Sequence, residues 1–405
     1  MYRYHTLNNG IRIIFKQSTS PVLYAGVYIN VGSRDEQGPE EGIAHFIEHS
    51  IFKGTENRRS YHIRNRIDGV GGELDAFTTK EDTCIYASAL SEHLERCLEL
   101  FADILFHSTF PEHEIEKEKN VVLEEINLYK DDLGESICED FEEHFFKGHA
   151  LAHDILGPKK NVKRFTPAIL KDFMHRNYTT DRMVITVVGS IDFKRLVRLC
   201  QKYFEDYPCT PANLIRQAPC DYQPFNLTIN KHSHQTHLVV GSPAPDTFDD
   251  NKAAFSLLNN ILGGSAMNAR LNVSVREKHG FCYTIYSQYF TFVDAGILFI
   301  YAGVDNGEAE RSTELILKEL KRLRDTRMTS QQLTAAQRQF IGQMTIDYDS
   351  GINEMQGIGK GYLNSDHVDT LEDNIKDILA VTAEDIQNLA QEYLAEEQLS
   401  FLYYK

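Results

Sequence analysis

The chain repeats its own order of elements, and this constrains its fold more than any single motif. Two helix-opening signals, Phe165-Thr166 and Val381-Thr382, stand about half of the 405 residues apart, as do Ile115 and Leu333. In the first half, residues 23–31 alternate as a strand leading to Gly32-Ser33, and 43–52 are short and apolar with helical spacing. Residues 83–90 read as a strand, 92–106, 112–130 and 166–177 as helices, and 182–189 as a closing strand. The second half follows with strand 238–241, helix 253–262, strand 297–304, and helices 308–324 and 331–345. A helix opening at Thr382 and a terminal strand at 399–404 complete it. The expected fold is α+β: two homologous domains, each a mixed, mostly antiparallel sheet with helices packed on one face. Residues 205–224 carry Pro208, Pro211, Pro219 and Pro224 without helical periodicity. The expected division is therefore a first domain over 1–207, a linker over 208–224 and a second domain over 225–405.

Charge and composition limit the partners. Lysine and arginine number 42 against 59 aspartate and glutamate, a net charge of −17. Such a surface repels nucleic acid and anionic membrane, and it favours neutral or basic peptides if peptides are the ligand. No apolar run approaches the length of a membrane span, and Tyr2-Arg3-Tyr4-His5 leads into strand-like sequence without a secretory h-region. The seven cysteines are odd in number and form no CxxC pair, which points to free thiols in a reducing compartment, the cytoplasm. Cys209 and Cys220 could close a loop only in an oxidising medium.

Residues 45–49, His-Phe-Ile-Glu-His, place two histidines four apart with a glutamate beside the second. Positions i and i+4 share a helix face, so His45 and His49 can reach one point with Glu48 at its flank. Gly38, Pro39 and Gly42 suit a turn into this helix, and Lys53-Gly54 a basic stop. Neutral imidazoles suit zinc, and an unligated carboxylate nearby can take a proton from zinc-bound water. A catalytic zinc ordinarily has three protein ligands. The 112–130 helix offers Glu118, Glu124 and Glu125 around an apolar stripe of Ile115, Val122, Ile126 and Tyr129. At about 100° per residue, Glu118 and Glu125 flank that stripe while Glu124 points away. Glu125 is thus the expected third ligand and Glu118 a supporting carboxylate.

These residues carry a resemblance. Gly32-Ser33-Arg34-Asp35-Glu36, Gly42 to His49, Phe52-Lys53-Gly54-Thr55, Gly71-Gly72 with Ala76-Phe77-Thr78, and Glu118 with Val121 to Ile126 extend over one half, and the likeness continues through the other. The chain resembles the pitrilysin/insulinase family of inverted-motif (HxxEH) zinc peptidases, in its half-length, mitochondrial-processing-peptidase-like branch. The resemblance implies one Zn2+ per chain on His45, His49 and Glu125, Glu48 as general base, and Glu118 as an acidic helper. It implies a peptide substrate added as a strand along Asp75, Ala76 and Phe77, within a stretch read as one strand over 73–87. Asp75 stands where many relatives carry asparagine, so it loses an amide donor and adds a charge. Arg276 and Tyr283 match a family pair that contacts substrate near the scissile bond. The implied activity is a zinc-dependent endopeptidase acting on peptides or unfolded segments in a closed chamber. A half-length chain would build that chamber as a homodimer, with Arg276 and Tyr283 approaching from the opposing subunit. The family also contains noncatalytic scaffold subunits and active subunits that need a different partner chain.

Two features carry less. Gly263-Gly264 lacks a P-loop lysine at the required spacing. His232 and His234 would share a strand face that His237 does not. By the repeat offset, the HxxEH positions become Phe255, Leu258 and Asn259, while Glu118 and Glu125 become Ala336 and Gln343. The second half is expected to keep the fold without the metal site.

Overall fold

The structure is a computed structural model that describes residues 1–208, 215–220, 222–231 and 233–405. Cys209, Pro211 and His232 lie outside the described residues. The first sheet has six strands: β1 (Tyr2–Thr6), β2 (Arg12–Gln17), β3 (Val22–Ile29), β4 (Glu73–Thr78), β5 (Thr83–Leu90) and β6 (Met183–Gly189). Their spatial order is β1-β2-β6-β3-β5-β4. The second sheet has β7 (Asn226–Ile229), β8 (Gln235–Pro243), β9 (Cys282–Phe292), β10 (Ala295–Asp305) and β11 (Ser400–Tyr404), ordered β7-β11-β8-β10-β9.

With β1 set aside, both sheets thread alike: first strand, last, second, fourth, third. Each has a single parallel pair in the same place, β2 with β6 and β7 with β11, and the rest are antiparallel. The matching helix caps agree with the repeat. Thr166 Oγ1 accepts from the Ile169 amide at 3.4 Å, and Thr382 Oγ1 from the Asp385 amide at 3.1 Å.

Two expectations need correction. The stretch 73–87 is a hairpin: residues 79–82 turn the chain, with the Thr79 amide donating to the Asp82 carbonyl at 2.7 Å, so that β4 pairs back on β5. Helices also cover both sheet faces. Strand β6 is buried along its whole length, as a central strand must be when both faces are apolar. Its inner face joins Ile13, Phe15, Ala25 and Val27 beneath the helices Ile43–Ser50 and Leu94–Phe106. On the other face, helix Gly351–Asn364 sets Met355, Ile358 and Tyr362 against Ile14, Tyr28 and Val184. The second sheet is completed similarly by helix Leu133–Phe145, whose Ile137 and Phe141 pack with Val239, Phe299 and Leu402.

These two helices explain how contacts divide the chain. One compact unit holds Met1–Asn127, His153–Arg216 and Ile346–Thr370; the other holds Leu128–Ala152, Gln217–Thr345 and Leu371–Lys405. Each half thus lends one segment to the unit built mainly from the other, which a single cut at the proline-rich stretch leaves out. The six cysteines among the described residues are free. No helix among the described residues is long and apolar enough to cross a membrane.

Helix Gly351–Asn364 rests so closely on the sheet that a Cβ on Gly359 would lie 2.6 Å from the Tyr28 ring and 2.9 Å from Thr186 Cγ2. Gly357, on the same helix, has nothing within 4 Å of that position. Gly359→Val should therefore lower unfolding stability by roughly 2–3 kcal/mol through overpacking. Gly357→Ala should be neutral or add up to about 1 kcal/mol from helix propensity. Urea unfolding of both variants checks the pair, and equal losses at the two positions would contradict this packing.

Candidate metal centre

The helix Ile43–Ser50 is placed by a buried cap. Gly42 takes φ +91°, a left-handed conformation suited to glycine. The Glu36 carboxylate accepts from the amides of Gly42 at 2.7 Å and Ala44 at 2.8 Å. These are amides that no helical carbonyl can satisfy. Burial pushes the Glu36 pKa well above the ordinary carboxylate value, against the opposing pull of those two amides. Ile43, Ala44, Phe46 and Ile47 are buried and fix the helix rotation. That rotation brings the rings of His45 and His49 to 4.6 Å between centroids.

Helix Glu112–Asp131 supplies the third group. Ile115, Val122 and Ile126 face the core, and Glu124 is exposed, in keeping with the helix-phase reading; Tyr129, counted in the stripe, is instead 45% exposed. Glu125 Oε2 lies 3.6 Å from His45 Nε2 and 3.4 Å from His49 Nε2. One ligand atom from each of the three residues falls within 4.8 Å of the others. Tetrahedral zinc with ligands at about 2.0–2.1 Å separates neighbouring ligand atoms by roughly 3.3 Å, and the two Glu125–histidine separations are close to that value. Glu125 Oε2 is also buried without a hydrogen-bond partner among the described residues, an atom that a cation would satisfy.

The surrounding charges suit this chemistry. The His45 pKa is pulled down to about 3 by burial and then by His49, so it stands as the neutral imidazole, the form able to ligate a metal. His49 Nδ1 meets Glu118 Oε1 at 3.0 Å, and Lys53 Nζ meets Glu118 Oε2 at 2.5 Å. Burial works to lower the His49 pKa, but the Glu118 bond and the charges of Glu125 and Glu48 outweigh it and raise it. Burial would raise Glu118, yet its bonds to His49 and Lys53 hold it low. Glu125 is raised chiefly by burial. Glu48 takes no part in the three-residue group. Its carboxylate accepts from Thr78 Oγ1 at 2.7 Å, and burial raises its pKa, with Glu125 and Asp75 pushing the same way.

Thr78 closes β4, the edge strand of the first sheet. Ala76 is buried, and Phe77 packs its ring against Tyr28 and Tyr86. Asp75 is exposed and accepts from Tyr86 Oη at 3.1 Å and from the Ala76 amide at 2.9 Å. In the other unit, Arg276 sits on the short helical segment Asn272–Glu277, where the Lys278 amide reaches back five residues to the Val273 carbonyl at 3.1 Å. Its guanidinium lies 5.5 Å from the centre of the Tyr283 ring, and Tyr283 is 81% exposed. His237 bonds the Tyr301 hydroxyl at 2.9 Å and is not part of the metal-holding group found among the described residues. Phe255 and Leu258 are core residues, and Asn259 Oδ1 accepts from Ser287 Oγ at 2.6 Å.

Three supporting roles were not legible. Thr78 and Glu36 lie inside motifs that give them no individual task, and the local sequence marks Lys53 only as part of a basic helix stop. Their partners are 30, 8 and 65 residues away, counting 78 − 48, 44 − 36 and 118 − 53. Separations of this kind leave no local sequence signal.

Residues 12–159 match the family profile "Insulinase (Peptidase family M16)", and residues 164–340 match "Peptidase M16 inactive domain". The uncharacterized zinc protease YmxG of Bacillus subtilis is 34% identical, over 98% of this chain and 97% of its own. An uncharacterized zinc protease of Mycobacterium leprae is 31% identical, over 96% and 88%. Among solved structures, a peptidase M16 inactive domain from Pseudomonas fluorescens has a TM-score of 0.93 at 22% identity, over 100% of this chain and 97% of that one. A protease from Helicobacter pylori has 0.92 at 21% identity, over 100% and 99%. Both show the fold alone.

Purified protein saturated with zinc should hold about one ion per chain, and His49→Ala should lose it. Glu118→Gln should weaken zinc binding about 10- to 100-fold, because it removes the orienting bond to His49 Nδ1. Protons compete with the metal for His49, whose pKa is raised, so affinity should climb as pH rises through and somewhat beyond the ordinary histidine range and then level off. Chelator competition across that range checks the sign, and affinity that fell with rising pH would contradict it.

Proposed function

The chain belongs to the insulinase family of M16 peptidases, and we propose that it is a zinc-dependent endopeptidase that hydrolyses peptides or unfolded segments in a closed chamber. One observation carries this reading. Glu48 stands outside the His45–His49–Glu125 group, beside it, and bonded to the end of the edge strand. A carboxylate spared from ligation at that place is what general-base chemistry requires.

His45, His49 and Glu125 would hold the ion, which when bound supplies a Lewis acid that polarises a peptide carbonyl and makes water acidic. Strand β4 would hold the substrate backbone extended through main-chain hydrogen bonds, a mode tolerant of sequence. Glu48 would take the proton of the attacking water and hand it to the leaving amine. Its raised pKa favours both transfers, since a base that is too weak accepts poorly. Thr78 would keep the Glu48 carboxylate aimed along the substrate strand. Glu118, tied to Lys53 and His49, would hold the imidazole in its ligating tautomer.

Arg276 and Tyr283 would act from a second copy of the chain. The pair is held together, and a guanidinium with a phenol can bind peptide carbonyls or an oxyanion. This second copy rests on the resemblance to half-length members of the family, whose chamber would take two such chains.

Glu48→Gln should keep its zinc and lose kcat by a factor of about 10²–10⁴ on a quenched-fluorescence peptide. Wild-type turnover by that variant would remove Glu48 from the mechanism. For the composite site, Glu48→Gln and Arg276→Ala proteins should each be nearly inactive and should regain activity on mixing. A mixture no better than its parts would place Arg276 in the same copy as Glu48, or outside catalysis.

A further inference from the structure

Arg216 comes from the proline-rich stretch after the first half, yet it belongs to the first unit. Its guanidinium grips Asp35 with two prongs, Nε to Oδ1 at 3.0 Å and Nη2 to Oδ2 at 2.7 Å. Nη2 also donates to the backbone carbonyl of Glu81 at 2.6 Å, and Nη1 lies 3.8 Å from the Glu81 carboxylate. The Asp35 side chain is 0% exposed, that of Glu81 5% and that of Arg216 12%. A planar fork meeting a carboxylate this way fixes orientation as well as distance.

The two partners lie on two turns, and each turn leads into the hydrolytic site. Asp35 precedes Glu36, whose carboxylate caps the helix carrying His45, Glu48 and His49. Glu81 sits in the turn that follows Thr78, the residue bonded to Glu48. The turns already touch through backbone bonds, Ser33 amide to Thr79 carbonyl at 3.2 Å and Arg34 amide to Lys80 carbonyl at 2.8 Å. Arg34 adds an ion pair to Glu81 at 2.6 Å. Arg216 joins this tie from outside both turns, as does His153, whose Nδ1 lies 3.4 Å from the Ser33 carbonyl and whose own carbonyl accepts from Lys80 Nζ at 3.1 Å.

We propose that Arg216 is a positioning residue for hydrolysis: by clamping Asp35 and Glu81 together it sets where Glu48 stands relative to the edge strand β4. This rests on the function proposed above. The clamp touches neither substrate nor metal, so its loss should leave binding largely intact and misplace the base. A shift of about 1 Å at a reacting group is enough to cost on the order of 100-fold in rate.

The test compares wild type, Arg216→Lys and Arg216→Ala, each fully zinc-loaded and well below its melting temperature. The expected result for Arg216→Ala is a fall in kcat of about 30-fold or more with KM within about threefold. Arg216→Lys, with a point charge in place of a fork, should fall between, and added guanidinium ion should restore part of the Arg216→Ala rate. Amide hydrogen exchange should quicken at Arg34, Gly42 and Ala44 while β3 and β6 stay protected. A kcat within twofold of wild type would overturn the proposal, and so would exchange that rises evenly through the unit, the mark of a merely structural role. If Arg216→Ala does not fold, Arg216→Lys reads the same comparisons. Should the wild type cleave no peptide, the proposed function fails, and the exchange pattern alone decides the clamp.

Discussion

The first unit is organised around two imidazoles that disfavour charge on one another and a carboxylate set against both. Glu125 Oε2 lies 3.6 Å from His45 Nε2 and 3.4 Å from His49 Nε2, and it has no hydrogen-bond partner among the described residues. Burial makes such a cluster expensive unless something compensates its charges. The supports around it hold the convergence in place: Glu36 caps one helix, Glu118 orients His49, and Lys53 neutralises Glu118. The placement of Glu48 follows from the same helix, and Thr78 fixes it to the strand where a peptide would lie.

Apart from the extra strand β1, the two sheets share one threading, so the difference at the site is chemical. Where the first half carries the HxxEH side chains, the corresponding helix of the second buries Phe255 and Leu258 in its core. Those apolar side chains exchange a costly polar cluster for packing. The second half is then free to present surface groups such as Arg276 and Tyr283.

Much of this was legible in the sequence where a local pattern determined geometry. Glu125 was separable from Glu124 because Ile115, Val122 and Ile126 pin the helix phase, and the structure brings Glu125 to the histidines. The repeat was readable from caps such as Thr166 and Thr382, whose side chains do cap helices. Three things were not readable. Tyr129 continues the stripe in sequence but lies exposed near the helix end. The second helical layers, Leu133–Phe145 and Gly351–Asn364, serve sheets built from distant sequence, and periodicity cannot name a helix's partner. The roles of Thr78 and Arg216 depend on contacts across 30 and 181 residues, counting 78 − 48 and 216 − 35.

The central claim is that this group of side chains binds zinc. X-ray absorption spectroscopy on the zinc-loaded protein tests it most directly, because it reads the ligands themselves. The account predicts two imidazole nitrogens and a carboxylate oxygen around the ion with no sulfur, and loss of the bound zinc and its imidazole signature in His45→Ala. Sulfur ligation, or a spectrum unchanged by that substitution, would place the metal elsewhere and contradict the account.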